Sequence, residues 1–300
     1  MAQFLLSCES TVDVPFAYMH SRGIPVIFYS YIIDEQPYPD DMGRDPEALP
    51  RFYAFLDAGK LPSTSQINQF AYYDYFKELL EQGGDVLHIA FGSGMTQSVN
   101  QAYEAAEQLR AEFPGQRLEV IDSLCSSSGY GLLVDGAADL RDADKSMDET
   151  IDWVMAWRKR VHHQFYSTDL QYFRRGGRVS GPAATIGSIL GICPIMRLDD
   201  RGRIIAYDKA RGKKAAVRTT VVLEPMAKDL PQAFPPTVSP AASADIESVT
   251  ASSCMPGCID HTRTAIVADA EPEMTPQISP ITSLQKDDTR PAFRMSFKAS

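Results

Sequence analysis

Short apolar runs alternate with helix-length amphipathic stretches through the first half of this 300-residue chain, and that rhythm constrains its fold most. Gln3–Cys8, Val86–Phe91 and Leu118–Ile121 read as short buried strands, and Ile24–Ile33 as a longer β-branched and aromatic strand running into the turn-rich segment Asp34–Pro39. Between them, Asp45–Ala58, Ile67–Gln82 and Thr96–Glu112 have helical spacing; in the last, Ala102, Ala105, Ala106 and Leu109 share one face. Strands separated by helices of this length pair in parallel through right-handed crossovers. The expected fold is therefore α/β: a parallel sheet flanked by helices in an N-terminal domain, residues 1–159. A smaller second α/β domain is expected from about Arg160 to residue 218, with strands at Phe165–Ser167 and Arg203–Tyr207. Between these strands lie the loop Arg174-Arg175-Gly176-Gly177-Arg178 and a small-residue stretch, Gly181–Gly191, that suits a short helix.

Residues 219–300 differ. They hold ten of the twenty prolines, one of the nineteen glycines and three of the twenty-nine aromatics, so neither period persists and an irregular or disordered tail is expected.

Four small polar clusters fall at or near expected strand ends, where open parallel sheets bind ligands: Glu9–Asp13, Pro62–Gln66, Gly92–Ser98 and Asp122-Ser123. Each has a plain structural reading as a helix N-cap. Together, their hydroxyls and free helix N–H groups suit an anion, because a buried carboxylate needs such donors. The net charge of −10 disfavours nucleic acid and anionic membrane surfaces as partners. No apolar run is long enough to span a bilayer, and the start lacks the basic region of a signal peptide, so a cytoplasmic location is expected. The five scattered cysteines do not make a disulfide framework; Cys8 and Cys193 read as small buried hydrophobes.

The motifs in this order, Glu9-Ser10-Thr11-x-Asp13, Pro62-x-Thr64-Ser65-Gln66, Ser93-Gly94-Met95-Thr96-Gln97-Ser98-x-x-x-Ala102 and Ile121-Asp122-Ser123, resemble the DegV family of bacterial fatty-acid-binding proteins. So do Asp169-Leu170-x-Tyr172-Phe173-x-Arg175-Gly176-Gly177-Arg178-Val179-Ser180, Gly187–Ile195 and Lys209–Ala215. The resemblance covers about residues 3–217. It implies a non-catalytic two-domain carrier that needs no cofactor and buries a long-chain fatty acid between its domains. Its carboxylate would be held by Thr64, Ser65, Ser93 and the N–H of Gly94. It also implies presentation of the acid to a fatty-acid kinase. Arg178 and Arg211 have two readings: a structural tie of the Gly176-Gly177 turn to a carboxylate, or a guanidinium near the pocket mouth. Arg211, Lys213, Lys214 and Arg218 form a basic patch that reads first as a solvated face. Burying a chain of about sixteen carbons at roughly 0.8 kcal/mol per methylene supplies on the order of 10 kcal/mol before ordering costs. Ile186, Ile189, Leu190, Ile192 and Ile195 are candidate tunnel walls, with ordinary core as the alternative.

Three departures stand out. Glu9 replaces the usual leading Asp, Gln97 stands where a glycine is usual, and the family's Gly-x-His-x-Gly-Pro-Gly ending is not found, since His261 lies in Ile259-Asp260-His261-Thr262. A divergent or frame-shifted translation beyond about residue 217 would account for the last. Rival classes exist, among them a pure interaction scaffold that would need no bound lipid. A hydrolase or phosphate/acyl-ester enzyme would use Ser93 or the carboxylates Glu9, Asp13 and Asp122, but a Gly-x-Ser-x-Gly elbow is missing. A zinc site on Cys254, Cys258 and His261 would lack a fourth ligand in register. No metal site is expected.

Overall fold

The structure, a computed structural model, describes residues 4–168, 170, 173, 176–179, 191–221 and 263–268. Four strands form the expected parallel sheet. β1 (Phe4–Glu9), β2 (Val26–Ile27), β6 (Asp85–Ala90) and β7 (Leu118–Asp122) lie in the order β2-β1-β6-β7. The helices α1 (Phe16–Ser21), α3 (Gln69–Glu81), α4 (Ser98–Glu112), α5 (Ser127–Asp142) and α6 (Met147–Trp157) flank it. Their apolar stripes, such as Ala102, Ala105, Ala106 and Leu109 of α4 or Leu133, Val134, Ala137 and Ala138 of α5, close one core with Leu6, Cys8, Leu87 and Ile89. Helix α6 starts on a capping box: Ser146 accepts from Glu149 N while Glu149 accepts from Ser146 N.

Ile24–Ile33 is not one strand. The chain leaves the parallel sheet after Ile27, and the Tyr29 N–H is taken by Ser10 Oγ at 3.1 Å. It then enters a separate antiparallel sheet as β3 (Ser30–Ile33), between β4 (Gln36–Pro39) and β5 (Ser63–Ser65). Asp34 and Glu35 turn this hairpin with φ of 49° and 67°, the paired positive values that a two-residue turn requires, so Gln36–Pro39 is strand rather than turn. An aromatic satellite core of Tyr31, Ile33 and Phe52 seats helix α2 (Ala48–Asp57) on this sheet.

The second lobe is a smaller antiparallel sheet of order β10-β9-β8-β11, made of β8 (Val161–Tyr166), β9 (Ile192–Leu198), β10 (Ile204–Arg211) and β11 (Arg263–Ala268). Thus a strand forms at 263–268, within the stretch whose composition favours no regular period. Alternation along the strands gives the sheet two apolar sides. Tyr166, Cys193, Ile195 and Ala210 pack with Ala216 of helix α7 (Lys213–Val221). Phe165, Met196 and Ile204 pack with Leu170, Phe173 and Val179. Residues 181–190, including Ile186, Ile189 and Leu190, and also Arg174, Arg175, Cys254, Cys258 and His261, lie outside the described residues.

Candidate functional site at the switch point of the parallel sheet

From β1 the chain moves outward to β2, then returns to the other side as β6, so the sheet order reverses between β1 and β6. Ligands of open α/β sheets bind beyond the strand C-termini at such a reversal. Here the two strand ends are tied together by buried polar groups. Glu9 Oε1 accepts from the Tyr72 hydroxyl at 2.6 Å and lies 3.4 Å from His88 Nε2; Oε2 accepts from Phe91 N at 3.1 Å. The Glu9 N–H donates to the Tyr130 oxygen at 3.0 Å, and that hydroxyl donates to the Ile89 carbonyl. Ser7 Oγ bonds His88 Nδ1 at 2.8 Å. Burial first, then the charge of Glu9, pushes the Tyr72 phenol well above its ordinary range, so it stays a donor. A buried carboxylate is affordable when satisfied in this way.

Ser93 and Gly94 follow β6 directly. Asp122 Oδ1, at the end of β7, accepts from both Ser93 N and Leu124 N at 3.0 Å, while Met95 N closes a turn onto Gly92 O. The Ser93 hydroxyl is half-buried and has no hydrogen-bond partner among the described residues. The plain capping reading does not hold for its neighbours: α4 and α5 start behind Gln97 and Ser126, neither of which caps with its side chain, and the bonds from Ser98 N to Thr96 Oγ1 and from Cys125 N to Ser123 Oγ, both 3.1 Å, close local turns ahead of those caps.

Thr64 and Ser65 are not N-caps. They are the middle and end of β5, paired with Tyr31 and Ser30, and α3 is capped instead by Asn68, which accepts from Ala71 N at 2.9 Å. Tyr29 links this strand to the Ser93 loop. Its backbone leads straight into β3, the partner of β5, and its ring meets the Phe91 ring edge-on with centroids 6.2 Å apart. The Thr64 hydroxyl, like that of Ser93, has no hydrogen-bond partner among the described residues, whereas Ser65 Oγ donates to the Gln66 carbonyl at 3.3 Å.

The second lobe closes on this edge. The Arg201-Gly202 turn between β9 and β10 lies so close to Gly94 that a Cβ there would overlap the Gly202 carbonyl. Gly202, at φ 69°, would itself place a Cβ 2.8 Å from Leu124 O. Met95 packs against both the first-lobe core and the Phe165–Met196–Ile204 face. Arg178 Nε donates to Met95 O at 3.2 Å and its Nη1 to Gly176 O, so among the described residues its partners are carbonyls of the two lobes. Arg211 is not brought to Ser93. It is exposed at the end of β10 opposite the turn that meets Gly94, beside Lys213 and Lys214. Ile195 is packed under α7 within the second lobe, as core, while Ile192 is half-buried at the strand start.

Glu9, Asp13 and Asp122 end different segments, and among the described residues no three His, Cys, Asp or Glu side chains gather as metal ligands. His88 is committed to Ser7 and Glu9, and His163 to Ser126, so neither is poised to activate Ser93. Sequence reasoning missed Tyr29, Tyr72, Tyr130, Met95 and His163. All but Met95 sit in strand or helical runs whose pattern reports burial only. The position of Met95 beside Ser93 was the one available hint.

The fold and this edge define a two-lobed α/β protein with a cluster of polar groups at a sheet switch point, against which the second lobe packs at Gly94 and Met95. The chain belongs to the DegV family: the family described as "Uncharacterised protein, DegV family" matches residues 5–238. A DegV domain-containing protein of Clostridium perfringens is 33% identical over 219 residues, covering 73% of this chain and 75% of the relative. One from Lactococcus lactis is 29% identical, covering 77% and 79%. Among solved structures, a DegV-family protein of Thermus thermophilus described by its fatty acid binding has 26% identity and a TM-score of 0.64, covering 73% of this chain and 75% of that one. Bacillus subtilis DegV, described as a fatty acid binding protein, has 24% identity and a TM-score of 0.61, covering 73% and 76%.

Proposed function

We propose that this chain carries one long-chain fatty acid between its lobes and performs no chemistry on it. The carboxylate sits at the β1/β6 crevice, taken by the hydroxyls of Thr64 and Ser93 and the Gly94 N–H, with Ser65 beside them and Arg178 fixing the Met95 carbonyl. The acyl chain lies on the face of Phe165, Val179, Met196 and Ile204. One observation carries this reading. Two hydroxyls without partners among the described residues, Thr64 on β5 and Ser93 after β6, stand on segments that Tyr29 and Phe91 join, and Met95 beyond Ser93 packs on the apolar cluster of the second lobe. The fatty-acid-binding descriptions of family members point the same way.

Affinity comes from the apolar face, and the hydroxyls set orientation. The loaded carrier presents its acid to a fatty-acid kinase in the cytoplasm; Arg211, on the exposed basic end of the second lobe, belongs to the surface rather than to the grip on the head. No helix among the described residues is long and apolar enough to cross a membrane. Thr64→Ala with Ser93→Ala should weaken palmitate binding at least about tenfold, the loss of two hydrogen bonds to a charged group, while leaving the melting temperature within a few degrees. Isothermal titration measures the first and thermal denaturation the second. Unchanged affinity would remove the headgroup assignment.

A further inference from the structure

Two buried hydroxyls at the same sheet edge have no hydrogen-bond partner among the described residues. They are Thr11 Oγ1, just past the end of β1, and Tyr29 Oη, just past the end of β2. Thr11 is 3% exposed and Tyr29 6%. Leaving such a group unpaired costs about 1–3 kcal/mol, so a phenol kept there calls for a partner that the described residues do not supply. The surroundings say what kind. Glu9, Ser98 and Thr96 lie close enough to act on the Tyr29 hydroxyl, but none completes a hydrogen bond to it by distance and angle. The Glu9 oxygens are already taken by Tyr72 and by the Phe91 N–H, and Thr96 and Ser98 are bonded to each other. Burial and Glu9 hold the phenol protonated, so it offers a proton to an acceptor.

We propose that Tyr29 and Thr11 are ligand-contacting donors, extending the headgroup site beyond Thr64 and Ser93, and that they receive an anionic oxygen of the bound acid. This rests on the fatty-acid reading above and deepens it: the site selects for an acceptor-rich carboxylate head over a neutral ester or alcohol of equal chain length. Tyr29 is placed to do this because its backbone and ring already join the β5 strand to the Ser93 loop.

The test compares the full chain with Tyr29→Phe, using palmitate and hexadecanol as probes. Tyr29→Phe is expected to weaken palmitate binding about fivefold, leave hexadecanol binding within about twofold, and keep or raise the stability of the ligand-free chain, since an orphaned hydroxyl is lost. Thr11→Val, which keeps shape and removes the hydroxyl, should act in the same sense. Equal palmitate affinity in the parent and both variants would overturn this inference while leaving the carrier reading intact. A parallel loss for palmitate and hexadecanol would also overturn it, by marking a packing effect. Failure of the parent chain to bind palmitate at all would remove the carrier reading and this inference together.

Discussion

Gly94→Ala is expected to destabilise the chain by about 1–3 kcal/mol and to weaken fatty-acid binding at least about tenfold, read by chemical denaturation and by titration. The reason is the material on the other side of the contact. A new methyl would meet the Gly202 carbonyl and Arg201 O, which are backbone and cannot rotate away as a side-chain end could. The hairpin tip also runs close to the Leu124 segment, since a Cβ on Gly202, in the left-handed region at φ 69°, would stand 2.8 Å from Leu124 O. The lobes must therefore part where Met95 joins their two cores and Arg178 reaches across to the Met95 carbonyl. Gly115→Ala is the matched control. That glycine has no positive φ and nothing within 4 Å of its Cβ position, so its change should stay within about 0.5 kcal/mol. Equal effects at the two positions would contradict a close-packed joint at Gly94.

His163 is expected to make stability depend on pH. It is buried where β8 meets the start of α5. Its Nε2 accepts from Ser126 N at 3.2 Å, and Nδ1 lies 3.2 Å from the Val161 carbonyl, to which it donates in this neutral tautomer. Burial, helped by neighbouring His162, lowers its pKa from 6.5 to about 4. Between those values the unfolded chain binds a proton that the folded chain refuses. The contribution of His163 is therefore complete above pH 6.5 and is lost as pH falls toward 4, about 3 kcal/mol in all. Half-buried Asp40 acts in the opposite sense. Burial raises its carboxyl from 3.8 to about 6, so it favours the folded state more as pH falls. Comparing the parent with His163→Gln separates the two, because Asp40 is present in both chains and cancels in the difference. The stability difference between parent and variant should shrink by about 3 kcal/mol from pH 7 to pH 4 in urea titrations. A difference constant with pH would show that the ring is not held neutral.

The parallel sheet was legible because its signal is local. Short apolar runs and helical stripes such as Ala102–Leu109 report a face regardless of what covers it. The break within Ile24–Ile33 was not legible, since β-branched and aromatic residues suit both sheets and the division depends on Ser10 reaching Tyr29 N from another segment. Helices α5 and α6 were passed over, although α6 carries its capping box in plain view at Ser146 and Glu149. Thr64, Ser65, Ser93 and Gly94 became headgroup candidates through motif order, within polar clusters whose position near strand ends alone named no ligand. What places them, namely the strand reversal at β1/β6, the Glu9–Tyr72–Tyr130 tie and the Gly94–Gly202 joint, is long-range in sequence. Arg211 shows the converse: a motif residue whose charge suggested the pocket mouth, set by strand register at the far end of its hairpin.

The most direct measurement is mass spectrometry of organic extracts from the natively purified full chain. The account predicts close to one equivalent of long-chain fatty acid per chain, exchangeable for added palmitate. Protein free of such acid, and still unable to take up palmitate when it is supplied, would contradict it.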